Sequence, residues 1–144
     1  MSTLSSDTVV SSSRGFWLGA AAYLVPSFPI AYAWHLVWFA PSYEALGIYR
    51  PEPIIPFGLI SMLIQSVIFS LGYPRFFPDR GSAVLRPGLL YGAGVAILSW
   101  SFTTLAVAAK NIMGSVPTYI ALETGFTALQ FVIVGPLIAL AYRR

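Results

Sequence analysis

Apolar positions run along this chain in four long blocks, without the regular polar interruptions of a soluble fold. The blocks cover about residues 16–40, 54–73, 86–109 and 116–142. A helix over the first is roughly 37 Å long at ~1.5 Å per residue, and a hydrocarbon core is about 30 Å thick. Each block is long enough to cross a bilayer. The connections are short, which makes successive helices antiparallel neighbours. The pattern predicts an all-α polytopic membrane protein, a four-transmembrane-helix up-down-up-down bundle over residues 15–144. Residues 1–14 are rich in Ser and Thr, carry no apolar period and read as a disordered cytoplasmic tail. Pro26 and Pro29 in the first helix, and Gly135-Pro136 in the fourth, predict kinks.

Ala31-Tyr32-Ala33 resembles a signal-peptidase site. However, a single basic residue precedes the first apolar block, and apolar sequence continues past the site to Ala40. A spanning helix fits better than a cleaved leader.

Composition strengthens the membrane reading. Hydrophobic residues make up 57% of the chain and charged ones 9%, against about 25% charged in a soluble domain. The net charge of +3 comes from residues at the ends of apolar runs, so it predicts no nucleic-acid partner. Cysteine is absent, which excludes covalent c-type haem, iron–sulfur clusters and thiol catalysis. The expected partners are the lipid bilayer and either other membrane subunits or further copies of this chain.

Orientation follows from the loops. With the N-terminus inside, Arg14, Arg75, Arg80, Arg86, Arg143 and Arg144 are cytoplasmic, and only Arg50 and Lys110 lie outside. This bias predicts a bacterial cytoplasmic (inner) membrane protein with both termini cytoplasmic. Trp34, Trp38, Phe39, Tyr43 and Tyr49 then mark the outer interface.

Chemistry-bearing residues are few. His35 and Glu123 are the ionisable groups inside the blocks, and Lys110 closes the third. Counted from the outer helix ends at ~1.5 Å per residue, His35 lies roughly 8 Å deep, and Thr103 and Glu123 roughly 10 Å. All three are expected at one level, where they meet if their helix faces converge. Glu123, Thr127 and Gln130 follow one face of helix four, Ser99, Thr103 and Lys110 one face of helix three, and Ser61 and Gln65 one face of helix two. Polar groups facing lipid are costly, so these faces should point inward or at a partner. Gly92, Gly94, Ala121 and Gly125 offer close helix packing. For Glu123 two roles compete: a proton-exchanging or substrate-binding carboxylate, and a structural bond between helices. A lone His leaves bis-histidine haem without a second ligand, and His35 with Glu123 alone under-ligands a metal. No motif for phosphate binding, zinc proteolysis or a nucleophile elbow occurs. The cofactor is thus unknown and no metal site is expected. The loop Pro41–Pro53 is too apolar for a plain linker. It reads as an interfacial connector, or as a lid over a site built from His35 and Glu123.

Several of these features resemble small four-helix bacterial integral membrane proteins of unknown function. They are Trp34-His35-Leu36-Val37-Trp38-Phe39, Tyr43 with Gly47-Ile48-Tyr49, Gln65 with Tyr73-Pro74, and Glu123 with Gln130-Phe131 and Gly135. The resemblance covers most of residues 15–142 and implies the architecture, with no activity to carry over.

Three functions are open from sequence. The first is a non-enzymatic accessory or assembly subunit of a larger membrane complex. The second is a small oligomeric transporter or proton carrier using Glu123 with His35. The third is a lipid-binding or lipid-modifying protein with an outer-leaflet site. An apolar pocket opening sideways between helices and lined by both His35 and Glu123 would favour the third.

Overall fold

The computed structural model describes residues 6–78 and 81–143, with side chains from residue 13 onward. Helix α1 runs Ser6–Ala33 and continues as a wide π-helical turn, Trp34–Trp38. A short helix α2, Ala40–Leu46, follows. It stops at Gly47, whose φ of 70° lies in the left-handed region that glycine enters without a steric penalty. Pro51 and Pro53 keep the next stretch out of helix. Helix α3 spans Ile55–Phe76. Helix α4, Leu85–Trp100, passes through a second π-helical turn, Ser101–Leu105, into α5, Ala106–Lys110. Helix α6, Val116–Ala141, begins at Ser115, whose hydroxyl accepts the Thr118 amide at 3.3 Å.

The described residues hold four helical spans long and apolar enough to cross a membrane: Ser13–Trp38, Ile55–Phe76, Leu85–Lys110 and Val116–Ala141. Two boundaries differ from the expected ones for identifiable reasons. Backbone helix reaches back to Ser6, into the stretch read as a disordered tail; extending a formed helix costs far less than starting one. Residues 1–5 lie outside the described residues. Helix α3 also runs two residues past Pro74, to Phe76. A proline cannot donate to the carbonyl four residues back, here Ser70. The Tyr142 hydroxyl supplies that bond at 2.8 Å. The backbone likewise stays helical through Pro26, Pro29 and Pro136.

Helix α6 is the centre of the bundle. It packs on α1 and on α4, while α3 packs mainly on α1 and more lightly on α6 and α4. The main seams run from α3 to α1, from α1 to α6 and from α6 to α4. Contacting pairs run in opposite directions along each seam. On α1 and α6, Tyr23 meets Gln130 and His35 meets Glu123. On α1 and α3, Phe16 meets Ser70 and Tyr23 meets Phe69. On α4 and α6, Gly88 meets Pro136 and Gly92 meets Phe131. Helices α3 and α4, although consecutive spans, make little contact among the described residues, and there the Tyr91 hydroxyl donates to the Phe69 carbonyl at 2.6 Å.

Small residues set the tightest crossing. A Cβ on Gly88 would sit 2.5 Å from Pro136 Cα, and one on Gly92 2.5 Å from Phe131 O. A Cβ on Gly135 would sit 2.3 Å from Gly88 O. Gly88 and Gly92 form a small-xxx-small pair that brings α4 against α6. Gly94, expected to share that role, faces open space. Beneath the crossing lies the core: Tyr23, Tyr73, Tyr91, Phe131, Val134, Ile138, Ala139 and Tyr142.

Candidate functional site

The polar groups gather at the end of the bundle that carries α2. Glu123, in the second turn of α6, has a side chain 7% exposed. Three side chains from three elements converge on its Oε1. Tyr43 of α2 donates its hydroxyl at 2.7 Å, and Tyr49, from the stretch after α2, donates at 3.2 Å. The Nε2 of His35 lies 3.3 Å away. The π-helical turn aims His35 inward from α1, and such turns recur at functional sites. Aromatic rings surround the imidazole: Tyr43 at 4.8 Å, Phe126 edge-on at 4.5 Å and Tyr49 at 6.3 Å between centroids.

The other ring nitrogen settles the proton count. His35 Nδ1 lies 2.9 Å from the Ala31 carbonyl, which can only accept. Nδ1 therefore carries a hydrogen. A hydrogen bond between Nε2 and Oε1, 3.3 Å apart, then requires one further proton. The pair is either imidazolium with carboxylate or imidazole with carboxylic acid, and its net charge is zero both ways. Burial, and then the charge of Glu123, push the Tyr43 hydroxyl above the ordinary phenol range, so it donates at any pH a cell reaches. Both His35 nitrogens are engaged, so neither is free to take a proton from a substrate or to ligate a metal. Among the described residues no three His, Asp or Glu side chains gather into a metal-holding group.

His35 also has an open side. Its side chain is 20% exposed, and it lines a cavity of about 440 Å³ between α1 and α3. Tyr49, Arg50, Pro51 and Pro53 close one end of this cavity, and Phe28, Leu36, Ile55 and Met62 make apolar walls. The chain before α3 thus acts at once as a hydrogen-bond donor to Glu123 and as a cover for the cavity.

A second polar group lies deeper. Gln130 Nε2 donates to the Tyr23 hydroxyl at 3.2 Å and to Ser27 Oγ at 3.0 Å. The Tyr23 hydroxyl donates in turn to Gln65 Oε1, and Gln65 Nε2 to Ser61 Oγ at 3.0 Å. This chain ties α6, α1 and α3 together at mid-span. Below it the interior is apolar: Phe131, Val134 and Ile138 are each at most 4% exposed. Among the described residues polar contacts resume at Tyr91, whose hydroxyl meets the Phe69 carbonyl, and where Tyr142 meets Ser70.

Measured against the sequence expectations, His35 and Glu123 meet, and Glu123, Thr127 and Gln130 are all buried. Thr103 does not join them. Its hydroxyl turns back to the Ser99 carbonyl at 2.9 Å and the residue is exposed. The π-helical turn Ser101–Leu105 adds a residue to the helical repeat and rotates the face by roughly 100°, so Thr104 points inward instead, fully buried. Lys110 is exposed at the end of α5, and among the described residues no ion pair joins it to Glu123. Tyr43, Tyr49, Tyr23 and Ser27 were not singled out as site residues. The loop suspected as a lid was the one available signal for the first two. No known protein family, curated protein or solved structure matches the chain, so the functional reading rests on this geometry.

Proposed function

We propose that this chain is a non-enzymatic, multi-pass protein of a bacterial cytoplasmic membrane that holds a lipid in the cavity between α1 and α3. The observation that carries the reading is the double engagement of His35, bonded to buried Glu123 on one side and lining an apolar, sideways cavity on the other. Walls made by two spanning helices suit acyl chain, and a volume of about 440 Å³ falls within the range of small-molecule sites. The excess of Arg and Lys on the terminal side supports an N-in, C-in orientation, which turns the cavity to the outer leaflet.

The alternatives fit the geometry less well. A proton carrier needs a polar path, and the layer of Phe131, Val134 and Ile138 interrupts it. A lipid-modifying enzyme needs a free base, and both His35 nitrogens are engaged. The accessory-subunit reading draws on composition and gains no residue from the site.

Gly58 provides the test. It lines the cavity, and a Cβ there meets nothing within 4 Å. Gly58→Phe should fill the space without forcing the backbone apart. Native mass spectrometry from nanodiscs should show a retained lipid on the parent chain and none on Gly58→Phe, with unchanged helical circular dichroism. An equal lipid load on both would sink the reading.

A further inference from the structure

We infer that the lipid held between α1 and α3 carries a net-negative headgroup, bound by Arg50; this rests on the lipid-holding reading above. The charge count around the cavity points that way. His35 and Glu123 share a proton and sum to zero. Glu123 belongs to that neutral pair and does not line the cavity, so it presents no net negative charge to a headgroup cation. That leaves Arg50 as the one charged residue on the cavity lining. Among the described residues no carboxylate pairs with it.

Position agrees with charge. Arg50 follows Tyr49, which is anchored to Glu123, and stands just ahead of α3. An arginine at the end of a spanning helix sits at headgroup depth. The polar atoms of the cavity thus cluster at this end, and the apolar walls extend from it along α1 and α3. This is the layout for an amphiphile with its head at Arg50 and its chain between the helices. A guanidinium forks onto phosphate oxygens by charge-assisted hydrogen bonds. A zwitterionic headgroup would also bring an ammonium, and no carboxylate stands on the cavity lining to receive it, Glu52 between Pro51 and Pro53 lying outside that lining. A phosphodiester without an attached cation, as in a phosphatidylglycerol, matches the charge of the site.

The experiment uses the full chain in nanodiscs of equal phosphatidylglycerol and phosphatidylcholine. Retained lipid is read by native mass spectrometry after the bulk lipid is stripped. The parent chain should retain the anionic lipid several-fold above its bulk share. Arg50→Gln should still retain a lipid but at the bulk ratio, and Arg50→Lys should keep part of the preference. Lys110→Gln, which removes the other basic charge on that side, should leave the preference intact. If the parent chain retains lipid at the bulk ratio, or Arg50→Gln keeps the preference, the headgroup assignment is wrong while the cavity reading stands. Equal loss in Lys110→Gln would mean a general surface attraction and would likewise overturn it. No retained lipid on the parent chain removes both.

Discussion

Glu123 holds three separate segments through a single oxygen atom, and that fixes what its replacement should do. Glu123→Gln keeps an acceptor for the two tyrosines, and its amide can donate to a neutral His35. Glu123→Leu leaves the Tyr43 hydroxyl and His35 Nε2 without their partner in a nearly dry site, at about 1–3 kcal/mol for each buried group left unsatisfied. Thermal unfolding in detergent should therefore show a small shift for Glu123→Gln and a much larger loss for Glu123→Leu. Tyr43→Phe should cost about 1 kcal/mol in the parent chain and far less on top of Glu123→Leu, because the two positions share one bond. Equal costs in both backgrounds would show that Tyr43 stabilises the fold by packing alone. The meeting of His35 and Glu123 was partly legible, since equal depth can be counted along two helices. The tyrosines were harder to find, because a tyrosine at a membrane interface usually needs no reason beyond its amphipathic ring.

At the level of helices, the two π-helical turns decide which residues face inward. Equal depth made Thr103 able to meet Glu123 if the helix faces converged, and one added residue put Thr104 in the interior instead. No local residue pattern announces such a turn, since it is closed by backbone bonds and held by its neighbours. Glycine roles were ambiguous for a related reason. Gly92 and Gly94 lie on different faces, and only the crossing angle shows which one meets α6. Their substitutions should separate cleanly. Gly92→Ala places a methyl 2.5 Å from the Phe131 carbonyl and 3.3 Å from Gly135 Cα, so α4 and α6 must part and stability should fall by more than about 2 kcal/mol. Gly94→Ala adds its methyl to open space and should be neutral or stabilising by up to about 1 kcal/mol. Unfolding with increasing sodium dodecyl sulfate would rank them, and comparable losses would contradict the crossing described.

For the whole molecule, the number of crossings was readable because lipid demands long apolar helices. Their order was not. Short connections suggested that every consecutive pair would pack, yet among the described residues α3 and α4 make little contact beyond Tyr91. With lipid on all sides, apolar helix faces are nearly interchangeable, and the partners are chosen by small residues and polar bonds. Those bonds draw α3 to α1 through Tyr23 and Gln65, and leave it at the edge. The proposed orientation is testable here: reporter fusions at residues 14 and 144 should both read as cytoplasmic, and one inserted at Asn111 as external. Exchanging Arg75 and Arg86 for Gln should weaken that distribution.

The central place of α6 has a consequence for biogenesis. It is the last of the four helices to leave the ribosome, yet it supplies the carboxylate for His35 and Tyr43 and the amide for Tyr23 and Ser27. Until it arrives, Ser27 and the Nε2 of His35 lack these partners, and Tyr23 has only Gln65 of α3. The bundle therefore assembles only after the final helix is inserted, and a chain stalled before residue 116 presents polar groups to lipid, a mark that insertion and quality-control machinery can read.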